Sequence, residues 1–132
     1  MKTKPLLTLD DARRMAAAAE AEALENNWSV VIAVCDDGGH LLLLHRLDGV
    51  APISSAIAPA KARAAALGKR ETRLYEDAIN QGRSAFLSAP LDGMLEGGVP
   101  IVAEGYVVGA IGVSGLKPAE DSQVAKAGIA AL

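Results

Sequence analysis

The 132-residue sequence predicts an α/β (α+β) fold: one domain spanning residues 1–132, with a central antiparallel sheet of two hairpins packed against helices. The order is helix, hairpin, helix, helix, hairpin, helix, a profilin- or PAS-like sandwich. Two turn signals, Asp36-Asp37-Gly38-Gly39 and Glu104-Gly105, are each flanked by strand-type runs. The stretches outside them carry apolar residues at steps of three and four. No repeat, low-complexity tract or Ser/Pro-rich linker divides the chain.

Thr8 followed by Asp11 resembles a capping box, and Leu9, Ala12, Ala16, Ala19 and Ala23 mark a small apolar face on a helix ending at Asn26-Asn27. Trp28 to Cys35 and His40 to Leu47 read as the arms of the first hairpin. Strict alternation places His40, Leu42, Leu44 and Arg46 on one face of the second arm and Leu41, Leu43, His45 and Leu47 on the other. Leucines on both faces predict cover on both sides, by helices or by another subunit.

Ile53 to Leu67 has helical spacing, with Gly68 placed to close the helix. Pro59 requires either a start near Ala58 or a kink after the first turn. Thr72 is the expected N-cap of a short helix through Leu74, Tyr75, Ala78 and Ile79, ending at Gly82. Pro90, Asp92-Gly93 and Gly97-Gly98 make residues 83–98 mostly loop. Val99 to Ala103 and Tyr106 to Ser114 form the second hairpin, and the small Gly109 and Ala110 predict a close backbone approach. Pro118 suits the first turn of a last helix that runs to Leu132.

A formal charge of −3 lacks the basic excess needed to neutralise a run of phosphates, which argues against a nucleic-acid partner. Residues 61–83 nevertheless carry a local +3, from Lys61, Arg63, Lys69, Arg70, Arg73 and Arg83 against Glu71, Glu76 and Asp77. Such a stretch suits a small anion or, more simply, a solvated helix face. The lone Cys35 ends an apolar run and reads as a buried thiol. No apolar segment is long enough for a signal peptide or membrane span, so the expected setting is cytoplasmic, without a membrane partner.

Four stretches together resemble the GlcG/HbpS family: Val34-Cys35-Asp36-Asp37-Gly38-Gly39-His40-Leu41, Arg46-Leu47-Asp48-Gly49, Gly97-Gly98-Val99-Pro100-Ile101, and Val108-Gly109-Ala110-Ile111-Gly112-Val113-Ser114-Gly115. Ala60-Lys61-Ala62, Thr72 and Ala127-Gly128 also fit that pattern, so the resemblance covers nearly the whole chain. It implies a profilin-like fold, dimers that assemble into larger homo-oligomers, and haem or corrinoid binding as in some members. No single reaction unites the family, whose members also occur beside glycolate-utilisation genes and as the extra domain of corrinoid adenosyltransferases.

Haem iron needs an axial donor in an apolar cleft with cations near the propionates. His40 and His45 are the only histidines; five residues apart on one strand, they are expected on opposite faces, so at most one serves a given haem per chain. His40, at the hairpin exit, is the better iron ligand, with Met94 as a weaker axial alternative and Arg46 and Lys61 as cations. For each histidine the plainer reading is a hydrogen bond to backbone or water. A second function class, an enzyme or accessory protein for a small hydroxy- or keto-acid, rests on Asp36, Arg46, Asp48, Lys61, Glu104 and Ser114 at turns and strand ends, although Asp36 and Asp48 serve equally as turn formers, Glu104 sits in a tight hairpin and Lys61 suits a solvated helix face. Ser114 and Gly115 lead into the last helix, whose free N–H groups can hold a carboxylate, although these glycines also simply permit close packing. No G-x-S-x-G, H-E-x-x-H, phosphate loop or C-x-x-C-H is present. A third reading is a purely structural assembly module. Haem or a related tetrapyrrole bound in an oligomer is the preferred one, with catalysis disfavoured.

Overall fold

The computed structural model describes all residues, Met1–Leu132. Four helices, α1 (Leu9–Glu25), α2 (Ser54–Gly68), α3 (Arg73–Asn80) and α4 (Pro118–Ile129), accompany four strands, β1 (Val31–Asp36), β2 (Leu41–Arg46), β3 (Gly98–Ala103) and β4 (Tyr106–Ser114). A 3-10 turn, Ser84–Ser88, lies in the irregular stretch. The strands form one antiparallel sheet in the order β2-β1-β4-β3, so the two hairpins join through β1 and β4.

The alternation of β1 divides the interior into two cores. Val30, Ile32 and Val34 face α1 and α4, together with Ile111 and Val113 of β4, whereas Val31, Ala33 and Cys35 face α2. The scarcity of aromatic residues is met by close backbone packing. A Cβ at Gly112 would fall 2.1 Å from the Ala58 carbonyl oxygen, and one at Gly128 would fall 2.9 Å from the Met15 carbonyl oxygen. Glycine thus lets α2 lie against β4 and lets α4 lie against α1. The close approach expected around Gly109 and Ala110 also occurs at Gly109, against the Cys35 carbonyl of the neighbouring strand.

The Thr8–Asp11 capping box forms as the sequence predicts: the Asp11 amide donates to Thr8 Oγ1 at 3.1 Å and the Thr8 amide donates to Asp11 Oδ2 at 2.9 Å. On the face of α1, Ala12, Met15, Ala16, Ala19 and Ala23 are buried, but Leu9 is exposed. The second hairpin turns through Glu104 and Gly105, both left-handed (φ 52° and 81°), the twist that suits a two-residue connection.

Several local expectations change. Helix α2 begins at Ser54, which puts Pro59 inside it and leaves the Ser55 carbonyl without its usual helical donor. Gly68 is the last helical residue rather than the left-handed one; that conformation falls on Lys69 (φ 55°), while a Cβ at Gly68 would strike the Tyr75 hydroxyl at 2.0 Å. Thr72 takes the expected N-cap position of α3, but its side chain makes no capping hydrogen bond. Its fully buried hydroxyl donates to the Leu95 carbonyl and accepts from the Gly98 amide at 2.8 Å, tying the α2–α3 junction to the loop before β3. Helix α4 ends at Ile129, short of Leu132.

Strand β2 departs most from the simple reading. Val34 pairs with Leu43 and Cys35 with Leu41, so Leu42 is an extra residue, a bulge. Leu42 and Leu43 consequently both pack on the α1/α4 core, while Leu44 packs towards α2. The strand is partly covered on both sides but lies at the sheet edge, with Leu41 53% exposed. The bulge also reverses the parity separating the histidines. His45 stands opposite Ile32, and the His40 carbonyl accepts from the Asp36 amide; Ile32 and Asp36 belong to the same face of β1. The expected opposite-face placement is therefore corrected.

Candidate functional site

The hairpin β1–β2 presents His40 outward. Asp36 Oδ1 accepts from the Gly38 and His40 amides, both at 2.9 Å, which fixes the turn. The same oxygen lies 3.3 Å from His40 Nδ1, so Nε2 is the ring nitrogen left for a ligand. The imidazole is 82% exposed. From α2, Arg63 and Leu67 lie against the turn: a Cβ at Gly39 would be 2.7 Å from Arg63 Cγ and 3.5 Å from Leu67 Cγ. Leu41 and Leu67 are exposed beside it. The turn thus presents an outward nitrogen donor, His40, on the α1/α4 side of the sheet, while Leu41, opposite Cys35, and Arg63 and Leu67 of α2 lie towards the other side.

Arg46 belongs elsewhere. It stands opposite Val31, at the other end of β2 from His40, roughly 17 Å away at the usual rise of a strand. Arg63 is the cation that the hairpin turn holds, and sequence reasoning placed it only within the basic stretch. Those basic residues make separate contacts: Arg70 lies over Tyr75, Arg73 pairs with Asp77, Arg83 lies over Phe86, and Lys61 is buried. Tyr75 and Phe86 stack edge to face at 5.5 Å, so Arg70 and Arg83 flank one aromatic pair. His45 is half-buried, with Nδ1 enclosed and no protein partner on that nitrogen.

Lys61, Ser114 and Gly115 do come together. They line a cavity of about 300 Å³ with Ser54, Glu76, Glu96 and Asp121. Lys61 is 3% exposed and not a solvated helix residue; its ammonium donates to the Val113 carbonyl at 2.9 Å and to Asp121 Oδ2 at 3.1 Å. Gly97 permits this, because a Cβ there would fall 2.9 Å from Lys61 Nζ. Burial raises the Asp121 carboxyl to about 6 despite the opposing pull of Lys61. Ser114 Oγ donates to Ser54 Oγ at 3.2 Å.

The start of α4 is already occupied by the chain's own carboxylates. Asp121 Oδ1 accepts from the Leu116 amide at 3.1 Å and Glu120 Oε1 from the Lys117 amide at 3.3 Å, so the two amides that lead into the helix are met by the chain's own carboxylates. Glu104 lies at the far end of the second hairpin, roughly 27 Å along β4 from Ser114, and serves the turn.

Met94 lines an adjoining cavity of about 430 Å³, with Ile79, Leu87, Leu91 and Leu95. Its polar lining, Glu76, Asn80 and Asp92, contains no cation to meet propionates. Cys35 is 1% exposed, and burial pushes its thiol up to about 12, so it is the structural thiol anticipated. Asp121, Ser54, Glu76 and Glu96 escaped sequence reasoning. A signal existed for the central pair: Lys61 lies in the stripe Ala58, Ala62, Ala65, and Asp121 in the stripe Val124, Ala125, Gly128, both of which are buried.

These features define an α+β sandwich with a small-molecule-sized cleft between α2, α3 and α4 and an outward-facing imidazole on its first hairpin. The family model described as "Haem degrading protein HbpS-like" matches residues 7–130, and the chain belongs to that HbpS-like family. Protein GlcG of Escherichia coli K12 is 58% identical over 114 residues, 86% of this chain and 85% of that protein. Among solved structures, Klebsiella pneumoniae protein ORFY superposes with a TM-score of 0.91 at 32% identity, over 99% of this chain and 93% of that one. The PduOC:haem complex gives 0.86 at 26% identity, over 97% and 96%. No helix of the chain is long and apolar enough to cross a membrane.

Proposed function

We propose that this protein binds haem on the surface around the first hairpin turn, with His40 Nε2 as an axial donor. The likeness that carries this reading is to the PduOC:haem complex, which spans nearly the whole of both chains. The local chemistry supports it. Asp36 at 3.3 Å orients the imidazole, whose ring is largely exposed, and Arg63 of α2 packs against the neighbouring Gly39 of the same turn. The role of the bound group is sensing or storage, and the chain's own residues hold and orient it.

The surface is open, so one chain supplies only one wall. A second copy supplies the other, making the binding unit a homo-oligomer built from dimers. The exposed edge strand β2, with its half-covered leucines, fits an interface there. Lys61, locked to Asp121, and Met94, in a cavity without cations, take no part. The setting proposed is cytoplasmic.

Titration of the purified protein with haemin, followed by absorbance and by sedimentation, tests both statements. A saturable Soret shift at one haem per chain or per dimer, on a species larger than a monomer, is the expected result. Unsaturable absorbance on a monomer would overturn the proposal.

A further inference from the structure

We infer that the two adjoining cavities form one binding cleft for an uncharged amphipathic small molecule, with a carboxamide-type head and a short apolar tail. They share Glu76 and Leu95 as common lining, so a ligand seated at one has the other as its continuation. Their volumes, about 300 and 430 Å³, are of the size that takes a small molecule. This site is separate from the hairpin surface around His40.

The polar part has donors left over. An ammonium carries three N–H donors, and Lys61 uses two, on Val113 and Asp121. Its side chain is 4% exposed, and the third donor has no protein acceptor. The Ser54–Ser114 pair has two hydroxyl protons and one mutual hydrogen bond, which leaves a second spare donor. Both serines are nearly buried. A ligand oxygen that accepts from Lys61 and a serine satisfies groups that are otherwise costly to bury.

The rim selects the rest of the head. Glu76 and Glu96 are acceptors, and Glu96 has only the Ser122 hydroxyl, at 3.2 Å, on one oxygen. A ligand carboxylate would satisfy the inner donors but face Glu76, Glu96 and Asp121 with one lysine to offset them. An amine would satisfy the rim and leave the inner donors unmet beside the Lys61 charge. A carbonyl with an adjacent N–H meets both. Beyond Glu76, the side chains of Ile79, Leu87, Leu91 and Met94 present the apolar chamber for the tail.

The test is titration of the full-length protein with acetamide, butanamide, hexanamide, hexanoate and hexylamine, followed by amide chemical shifts. Hexanamide is expected to saturate, shifting residues near Ser54, Ser114 and Met94, with hexanoate and hexylamine at least tenfold weaker. Along the amide series each methylene should tighten binding about fourfold, the equivalent of burying one CH₂. Ser54→Ala should weaken hexanamide about fivefold or more, and Leu91→Ser should flatten the dependence on chain length. Equal or tighter binding of hexanoate or hexylamine, affinity independent of chain length, or shifts confined to other surfaces would overturn the inference. Because no haem is present, this outcome is independent of the haem titration.

Discussion

Lys61 and Asp121 meet 3.1 Å apart although their helices, α2 and α4, cover opposite faces of the sheet. They reach each other past Gly97, where a side chain would collide with the Lys61 ammonium and the Asp121 Cβ, and the ammonium also holds the Val113 carbonyl of β4. One buried ion pair thus fastens both helical layers to the end of β4.

A buried pair is worth less than its breakage costs, because removing one partner strands the other. Lys61→Met is expected to destabilise the fold by about 3–5 kcal/mol in urea unfolding at pH 7. The double variant Lys61→Met/Asp121→Leu should recover most of that loss. A double variant as unstable as the sum of the singles would show no coupling between the two groups and would contradict this account.

The same carboxyl sets a pH dependence. Burial holds Asp121 at about 6 in the folded chain against an ordinary 3.8. Between those values the folded state binds more protons than the unfolded state, so stability falls as pH rises. The contribution is fully present below about pH 4 and lost above about pH 6. Unfolding midpoints measured from pH 4 to 7 should decline through this window, and Asp121→Asn should remove that component of the decline.

Gly112→Ala places a methyl group 2.1 Å from the Ala58 carbonyl oxygen and 2.5 Å from the Ala62 nitrogen. Backbone cannot swing aside as a side chain can, so α2 must lift from β4. A loss of about 2–3 kcal/mol, read as a lowered Tm, follows from overpacking of this kind. Gly105→Ala, at an open turn with nothing near, should cost less and act through its positive φ alone.

Cys35, buried with its thiol raised to about 12, should resist thiol reagents in the native protein and react only as the chain unfolds. The labelling rate across a urea gradient should follow the unfolded fraction. Labelling in native buffer at the rate of a free thiol would contradict the packing of α2 on β1.

Local chemistry made much of this fold legible. The Thr8–Asp11 box, the Gly-rich turn before His40, and Glu104-Gly105 each encode their geometry within a few residues. The Leu42 bulge left no such mark, since it depends on how β2 registers against β1, and it alone reverses the relation of His40 to His45. Thr72 sits at the N-cap its local sequence offers, but the partners of its hydroxyl, Leu95 and Gly98, lie more than twenty residues away and leave no local mark. Lys61 and Asp121 are 60 residues apart, and only the folded chain makes them neighbours. Lys61 and the Ser114-Gly115 turn therefore stand apart in the sequence, and Glu76 and Glu96 of their cavity carry no local signal.

The central claim is that His40 is the iron donor, and it is tested most directly by haemin titration of His40→Ala beside His45→Ala and Met94→Ala. The account predicts that the saturable Soret shift is lost in the first and retained in the other two. Its survival in His40→Ala, or its loss in His45→Ala or Met94→Ala while the fold remains intact by circular dichroism, would contradict the account.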